Sequence, residues 1–266
     1  MEIYIGTSGY SFPDWKNVFY PKRLKPQNYF AYYVKHFNAV EINLTFYRIP
    51  RTDFLATLSE KTGSDFQFAV KLPRILTHEL ELHPASIEGM ITLTKPILKE
   101  NKLAALLAQF PFAFHRTDAN LAHLFTIRDA FKNFPFFVEF RHKSWNNEET
   151  LDKLEKENIG IVFPDIPHGL GLFELRNVIS HNRTAYFRLH SRRKESWWVG
   201  DNKSRYDYSY SQEEFLEIKK LVEGAKAGKT LIFFNNCPQG KAAKNAISMR
   251  QIMGLENSEI RSMLFE

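Results

Sequence analysis

The residues of this chain best suited to chemistry stand at the ends of short apolar runs. Val40-Glu41-Ile42-Asn43, Phe68-Ala69-Val70-Lys71 and Phe137-Val138-Glu139-Phe140-Arg141 are three of these runs. Tyr186-Phe187-Arg188-Leu189-His190 and Ile232-Phe233-Phe234-Asn235-Asn236 are two more, and Asp165 follows a sixth. A charge placed there costs several kcal/mol, on the order of 2–7, unless it is paired or used. Three chemistries suit the set. Glu41 and Glu139 could act as acid and base, with His190 assisting, or as the carboxylate pair of a glycoside hydrolase. Glu41, Glu139, Asp165, His142 and His190 could instead hold a metal. That reading is not favoured, because no tight ligand signature is present and nearby cations repel a divalent ion. The third chemistry is anion binding by Lys71, Arg74, Arg141 and Arg188. A purely structural alternative stands beside all three, in which Lys71, Arg141 and Arg188 neutralise Glu41, Glu139 and Asp165.

Runs of this length, rich in β-branched and aromatic residues, suit strands buried on both faces of a parallel sheet. Eight are expected: Ile3–Gly6, Ala39–Ile42, Phe66–Lys71, Leu103–Gln109, Phe136–Phe140, Gly160–Phe163, Thr184–Leu189 and Lys229–Phe234. Helix-period segments follow most of them, over Pro26–His36, Asp53–Lys61, Ile87–Lys99, Leu121–Phe131, Asn147–Glu157, Gln212–Ala225 and Lys241–Met253. Asn146 or Asn147 is placed to cap one helix, and Ser211 with Glu214 makes a capping box for another. The segment from Asp165 to about His181 has no clear period. Strand–helix alternation implies right-handed parallel crossovers, and eight units in roughly 250 residues fit a single-domain TIM-like (β/α)8 barrel. The polar strand ends then converge on the C-terminal face, where such barrels carry their sites.

Two long loops should build that face. Residues 7–25 carry Tyr10, Trp15, Phe19 and Tyr20. Residues 190–211 carry Trp197, Trp198, Tyr206, Tyr208 and Tyr210, and residues 188–205 hold six Lys or Arg against two Asp or Glu. Basic residues interleaved with aromatics also suit a single nucleic acid strand. Tyr10, Asn43, Trp197, Asn235 and Asn236 are therefore expected to touch a ligand, with Lys71, Arg74, Arg141, Asp165 and Arg188. Gly240-Lys241 opens the last helix and offers free N–H groups to a phosphate.

The 266-residue chain is 44% hydrophobic and carries a formal charge of +6, which allows an anionic partner without requiring one. Its 24 Phe are expected mainly in the core. Gly6-Thr7-Ser8-Gly9 lacks the G-x-G-x-x-G spacing, and no Gly stands five residues before Gly240, so no nucleotide-cofactor motif is present. Ser8 lacks a nucleophile elbow, and Cys237 reads as a small buried residue. A single Cys, no secretory signal and no apolar stretch of membrane-spanning length make a cytoplasmic protein without membrane contact the expectation. Oligomeric state, cofactor and substrate are left open.

Several motifs resemble the DUF72, or YecE-like, family. They are Ile5-Gly-Thr-Ser-Gly-Tyr-Ser-Phe-Pro-Asp-Trp15, Phe19-Tyr-Pro21, Val40-Glu-Ile-Asn-Leu-Thr-Phe-Tyr47 and Phe68-Ala-Val-Lys-Leu-Pro-Arg74 with Thr77-His78. Gln109-Phe-Pro111, Val138-Glu-Phe-Arg-His-Lys-Ser-Trp145, Phe187-Arg-Leu-His190, Tyr206-Asp-Tyr208 and Phe234-Asn-Asn236 with Asn245-Ala246 continue the match. The resemblance runs from about residue 3 to 250. It implies a TIM-like barrel and no particular reaction. The expectation from the residues is an enzyme acting on a phosphorylated or other anionic substrate, a nucleic acid phosphodiester included. The alternatives are a glycoside hydrolase-like enzyme using Glu41 and Glu139, and a non-enzymatic nucleic-acid or protein binder working through residues 190–210.

Overall fold

Eight parallel strands form, each from one of the apolar runs. They are β1 (Glu2–Thr7), β2 (Ala39–Ile42), β3 (Gln67–Lys71), β4 (Leu103–Gln109), β5 (Phe136–Glu139), β6 (Gly160–Asp165), β7 (Thr184–Leu189) and β8 (Lys229–Phe234). The computed structural model describes residues 1–175, 177–199 and 201–255. The sheet runs in the order β1-β8-β7-β6-β5-β4-β3-β2, and every neighbouring pair is parallel. This is the TIM-like (β/α)8 barrel that the alternation of elements predicts, nearly closed between β1 and β2.

The closing seam is made by side chains as well as backbone. Asn38 accepts from the Ile5 N–H at 2.9 Å and donates to the Ile3 carbonyl at 2.9 Å. The Tyr33 hydroxyl accepts from the Thr7 N–H at 2.9 Å and donates to the Ala39 carbonyl at 3.0 Å. Strand edges that would otherwise be unsatisfied and buried are thereby paired. Gly6 lies in the seam, where a Cβ would sit 2.0 Å from the Ala39 oxygen. At the top, Gly9 N–H donates to the Glu41 carbonyl at 2.8 Å and brings the first loop onto β2.

Side chains alternate across each strand, so every second residue enters the lumen. The lower lumen is filled by Ala69, Ala105, Leu107, Phe137, Val162, Tyr186, Leu231 and Phe233, all buried. One step further along β2, β3, β5 and β7, the same faces present Glu41, Lys71, Glu139 and Arg188. The Phe-rich outer faces pack beneath helices Pro84–Lys99, Asp118–Ala130, Glu148–Lys156, Gln212–Gly224 and Lys241–Ile252. The lumen is thus apolar below and charged above.

Local signals explain most helix ends. Asn147 accepts from Thr150 N–H, and Ser211 with Glu214 forms the reciprocal capping box. The helix expected over Pro26–His36 is instead a 3-10 turn, Pro26–Asn28, followed by one short α-helix, Tyr29–Tyr33. Two helices begin earlier than their apolar period suggests: one at Pro84, capped by His83, and one at Asp118, capped by Thr117. One-turn helices Leu44–Tyr47 and Arg74–Thr77 follow β2 and β3 directly. Among the described residues, no helix is long and apolar enough to cross a membrane.

Candidate functional site

Arg188 is the hub of the polar layer. It reaches across the lumen from β7 and is 2% exposed. Its Nε donates to Glu41 Oε2 at 2.8 Å and its Nη2 to Glu41 Oε1 at 2.7 Å. Its Nη1 donates to Glu139 Oε2. Tyr186, one inward position earlier, adds its hydroxyl to Glu41 Oε2 at 2.5 Å. Burial alone would raise the pKa of Glu41, but the Arg188 charge and these bonds outweigh it and hold the carboxyl below its usual range. Glu139 also pairs with Arg141 Nη2 at 2.6 Å and with His190 Nε2 at 3.3 Å. Burial opposes its ionisation too, yet Arg141 and Arg188 hold it well below the usual carboxylate range.

His190 is fully buried. Its Nδ1 lies 2.9 Å from Asn235 Nδ2, which has only protons to give, so Nδ1 accepts and Nε2–H faces Glu139. Burial and then Arg141 push its pKa down to about 3, so it is neutral at physiological pH.

Above this layer opens a cavity of about 870 Å³. Its cationic walls are Lys71, Arg141, Arg188 and Arg205, and no carboxylate lines it among the described residues. Tyr10, Phe12, Phe46, Phe112, Trp197 and Trp198 supply aromatic surface, and Asn43, Gln109 and Asn235 supply amides. The loop after β7 folds over as one wall and includes the short helix Asn202–Tyr206. Arg141 and Arg205 lie over the buried Trp197 ring at 5.9 and 5.7 Å.

The cations are not equivalent. All three Arg188 nitrogens are taken by carboxylates. Arg141 spends Nη2 on Glu139, while its Nη1 is buried without a partner among the described residues. Asn43 Oδ1 and Arg205 Nε share that condition. Lys71 Nζ donates to Gln109 Oε1 at 2.8 Å and lies 4.0 Å from the centre of the Phe46 ring. Burial and then the Arg188 charge push its pKa down to about 7. His78, also on the wall, is lowered to about 4 by burial and by Lys71.

The chain matches the model of the family described as "Protein of unknown function DUF72" over residues 4–264. It belongs to the DUF72 family. The UPF0759 protein YunF of Bacillus subtilis is 32% identical, with 96% of each chain covered. A DUF72 family protein of Thermotoga maritima superposes with a TM-score of 0.85 at 37% identity, over 96% of this chain and all of that one. A second DUF72 structure, from Enterococcus faecalis, gives a TM-score of 0.84 at 24% identity, over 96% and 97% of the two chains, and shares the fold.

Within this DUF72 barrel, the expected site residues divide. Tyr10, Asn43, Lys71, Arg141, Arg188, Trp197 and Asn235 line the cavity. Glu41, Glu139 and His190 lie fully buried beneath it, with the Arg188 guanidinium between the two carboxylates. Asp165 faces elsewhere: Arg192 and the Tyr210 hydroxyl, at 2.6 Å, take its oxygens and clamp the loop after β7. Arg74 begins the one-turn helix after Pro73 and pairs in solvent with Glu79, its side chain 62% exposed. Asn236 is fully buried and donates to the Tyr208 carbonyl and Asn245. The groups flanking the helix start at Gly240 have internal partners. Asp14 accepts from Gln239 N–H at 2.7 Å, and Lys241 pairs with Asp207.

Cys237 lines the cavity, and burial pushes its thiol up, away from reactive thiolate. Among the described residues, no group of three His, Cys, Asp or Glu is arranged to hold a metal. Phe46, His78, Gln109 and Arg205 also line the site; Phe46 and Gln109 stand within the family motifs, and Arg205 has no signature of its own. The only cue for His78 is the Thr77-His78 pair within the family motif.

Proposed function

We propose that this DUF72 protein is an enzyme acting on a small phosphorylated or carboxylated substrate held in the cavity at the C-terminal face of the barrel. The observation that carries this reading is Arg141, a cavity-lining residue whose Nη1 is buried with no hydrogen-bond partner among the described residues. Arg205, which lies over the same Trp197 ring, adds positive charge, and no carboxylate lines the wall among the described residues. A charge-assisted bond to a phosphate or carboxylate would satisfy the nitrogen. Aromatic walls favour a substrate with an apolar or planar body, and the volume suits a small molecule. The loop after β7 serves this cavity as a wall, with Trp197 buried, which weighs against a loop that stacks bases in solvent.

Isothermal titration calorimetry tests the reading with inorganic phosphate, glycerol 3-phosphate and glycerol. Both phosphates should bind wild type and glycerol should not. Arg141→Gln should weaken phosphate binding at least tenfold while leaving the fold intact by circular dichroism. Equal binding of glycerol and glycerol 3-phosphate, or an unchanged affinity in R141Q, would overturn it.

A further inference from the structure

We propose that Lys71 is an imine-forming amine and that the substrate is a carbonyl compound bearing a phosphate or carboxylate. The inference rests on the anion-binding reading above and assigns the chemistry of the same cavity.

Lys71 ends β3, directly above Ala69 in the lumen, so its ammonium arm is delivered into the cavity. Most buried lysines are held by carboxylates. Here the two nearest acids, Glu41 and Glu139, are already held by Arg188 and Arg141, and no ion pair joins either to Lys71. The contacts of Nζ are a neutral amide oxygen and an aromatic ring. The Gln109 amide is fixed by its own Nε2–H, which donates to the Phe110 carbonyl at 2.7 Å and turns Oε1 toward Nζ. An amide oxygen can only accept. It therefore orients one N–H of Lys71, and when the amine is unprotonated its lone pair is not consumed by this contact. Burial and then the Arg188 charge favour the uncharged amine and outweigh the opposing pull of Glu139 and Glu41, as for lysines activated by desolvation and neighbouring cations. At pH 7 roughly a thousand times more of this amine is unprotonated than of an ordinary lysine.

The step balances without any redox partner. Nζ attacks the carbonyl carbon, forming the C–N bond while the C=O π pair moves to oxygen. That oxygen takes the proton Nζ releases and becomes a hydroxyl. The C–O bond then breaks and the hydroxyl leaves as water with one proton from solution. The remaining nitrogen lone pair closes the protonated imine. Hydrolysis reverses the sequence and returns the free amine. The substrate's anionic group would sit at Arg141 Nη1 and Arg205, which leaves its carbonyl for the Lys71 side of the cavity.

The probes are pyridoxal 5′-phosphate, a phosphorylated aldehyde, and pyridoxal, which lacks the phosphate. Each is incubated with the full chain, reduced with borohydride and mapped by peptide mass spectrometry. Lys71 should be modified by the phosphorylated probe at least tenfold faster than any other lysine at pH 7. Its rate should rise to half its maximum near pH 7, and inorganic phosphate should compete. Pyridoxal should react at least tenfold more slowly. If Lys71 stays unmodified while phosphate still binds by calorimetry, the imine is refuted and the anion site stands. If both probes label Lys71 equally, the anionic substrate class is refuted and the reactive amine stands.

Discussion

Replacing Arg188 with Met removes the cation that two fully buried carboxylates share. Arg188 makes a bidentate pair with Glu41 and a further bond to Glu139, at 2% exposure. Removing one partner of a buried pair costs about 3–5 kcal/mol, because the remaining charge is left in a poorly solvated place. Glu139 keeps Arg141, so the loss falls mainly on Glu41, which is left with the neutral hydroxyls of Tyr186 and Ser8. At about 2–4 °C per kcal/mol for a chain of this size, the melting temperature should fall by about 10 °C.

The pH dependence fixes the mechanism. In wild type both folded-state pKa values are depressed, so their stabilisation is present above the unfolded value near 4.5 and is lost as pH falls through the folded values. In the variant the Glu41 carboxyl is raised instead, so its penalty is present above the unfolded value and disappears as the group protonates. The gap between the two proteins should therefore be widest at pH 7–8 and shrink toward pH 4. Urea unfolding followed by circular dichroism at several pH values measures it. Adding Glu41→Gln should destabilise wild type but recover at least half of the loss in R188M. A loss under about 1 kcal/mol, or one that is equal at pH 5 and pH 8, would refute the reasoning.

Other perturbations probe the elements that carry the site. Asp165→Asn weakens the clamp from Arg192 and Tyr210, so limited proteolysis within residues 190–211 should speed up severalfold, with global stability falling by about 1–3 kcal/mol. Ser211→Ala breaks the capping box of helix Gln212–Gly224 and should cost about 1 kcal/mol in urea unfolding without changing phosphate affinity. Gly6→Ala drives a methyl group into the Ala39 carbonyl at the β1–β2 seam and should lower the melting temperature more than any surface Gly→Ala change.

Strand positions were legible because both-face burial leaves an unbroken apolar run. Leu103–Gln109, Thr184–Leu189 and Lys229–Phe234 coincide with β4, β7 and β8 to the residue. Period-two alternation also identified which side chains share the lumen, Glu139 with Arg141 and Arg188 with His190. It could not give depth. Whether a lumen charge meets the cavity or another charge depends on how far across the barrel its partner stands, which no local spacing encodes. Arg188 therefore looked like a free anion ligand and is the saturated hub. Arg74 looked inward but lies beyond Pro73, where a new one-turn helix sends it to solvent. Asp165, expected just past a strand ending at Phe163, is the last residue of β6, and the Arg192 and Tyr210 that claim it come from a loop whose path the sequence does not specify. Arg188 and Arg141 offset Glu41 and Glu139 in the buried layer, and the remainder that lines the cavity is Arg205, Lys71 and the unshared part of the Arg141 guanidinium.

The central claim is that this remainder forms an anion site, and a crystal structure grown with inorganic phosphate tests it most directly. A tetrahedral anion should appear in the cavity with an oxygen about 3 Å from Arg141 Nη1, and it should be absent from crystals of R141Q grown the same way. A cavity without phosphate at concentrations that load exposed lysines, or an anion unmoved by R141Q, would contradict the account.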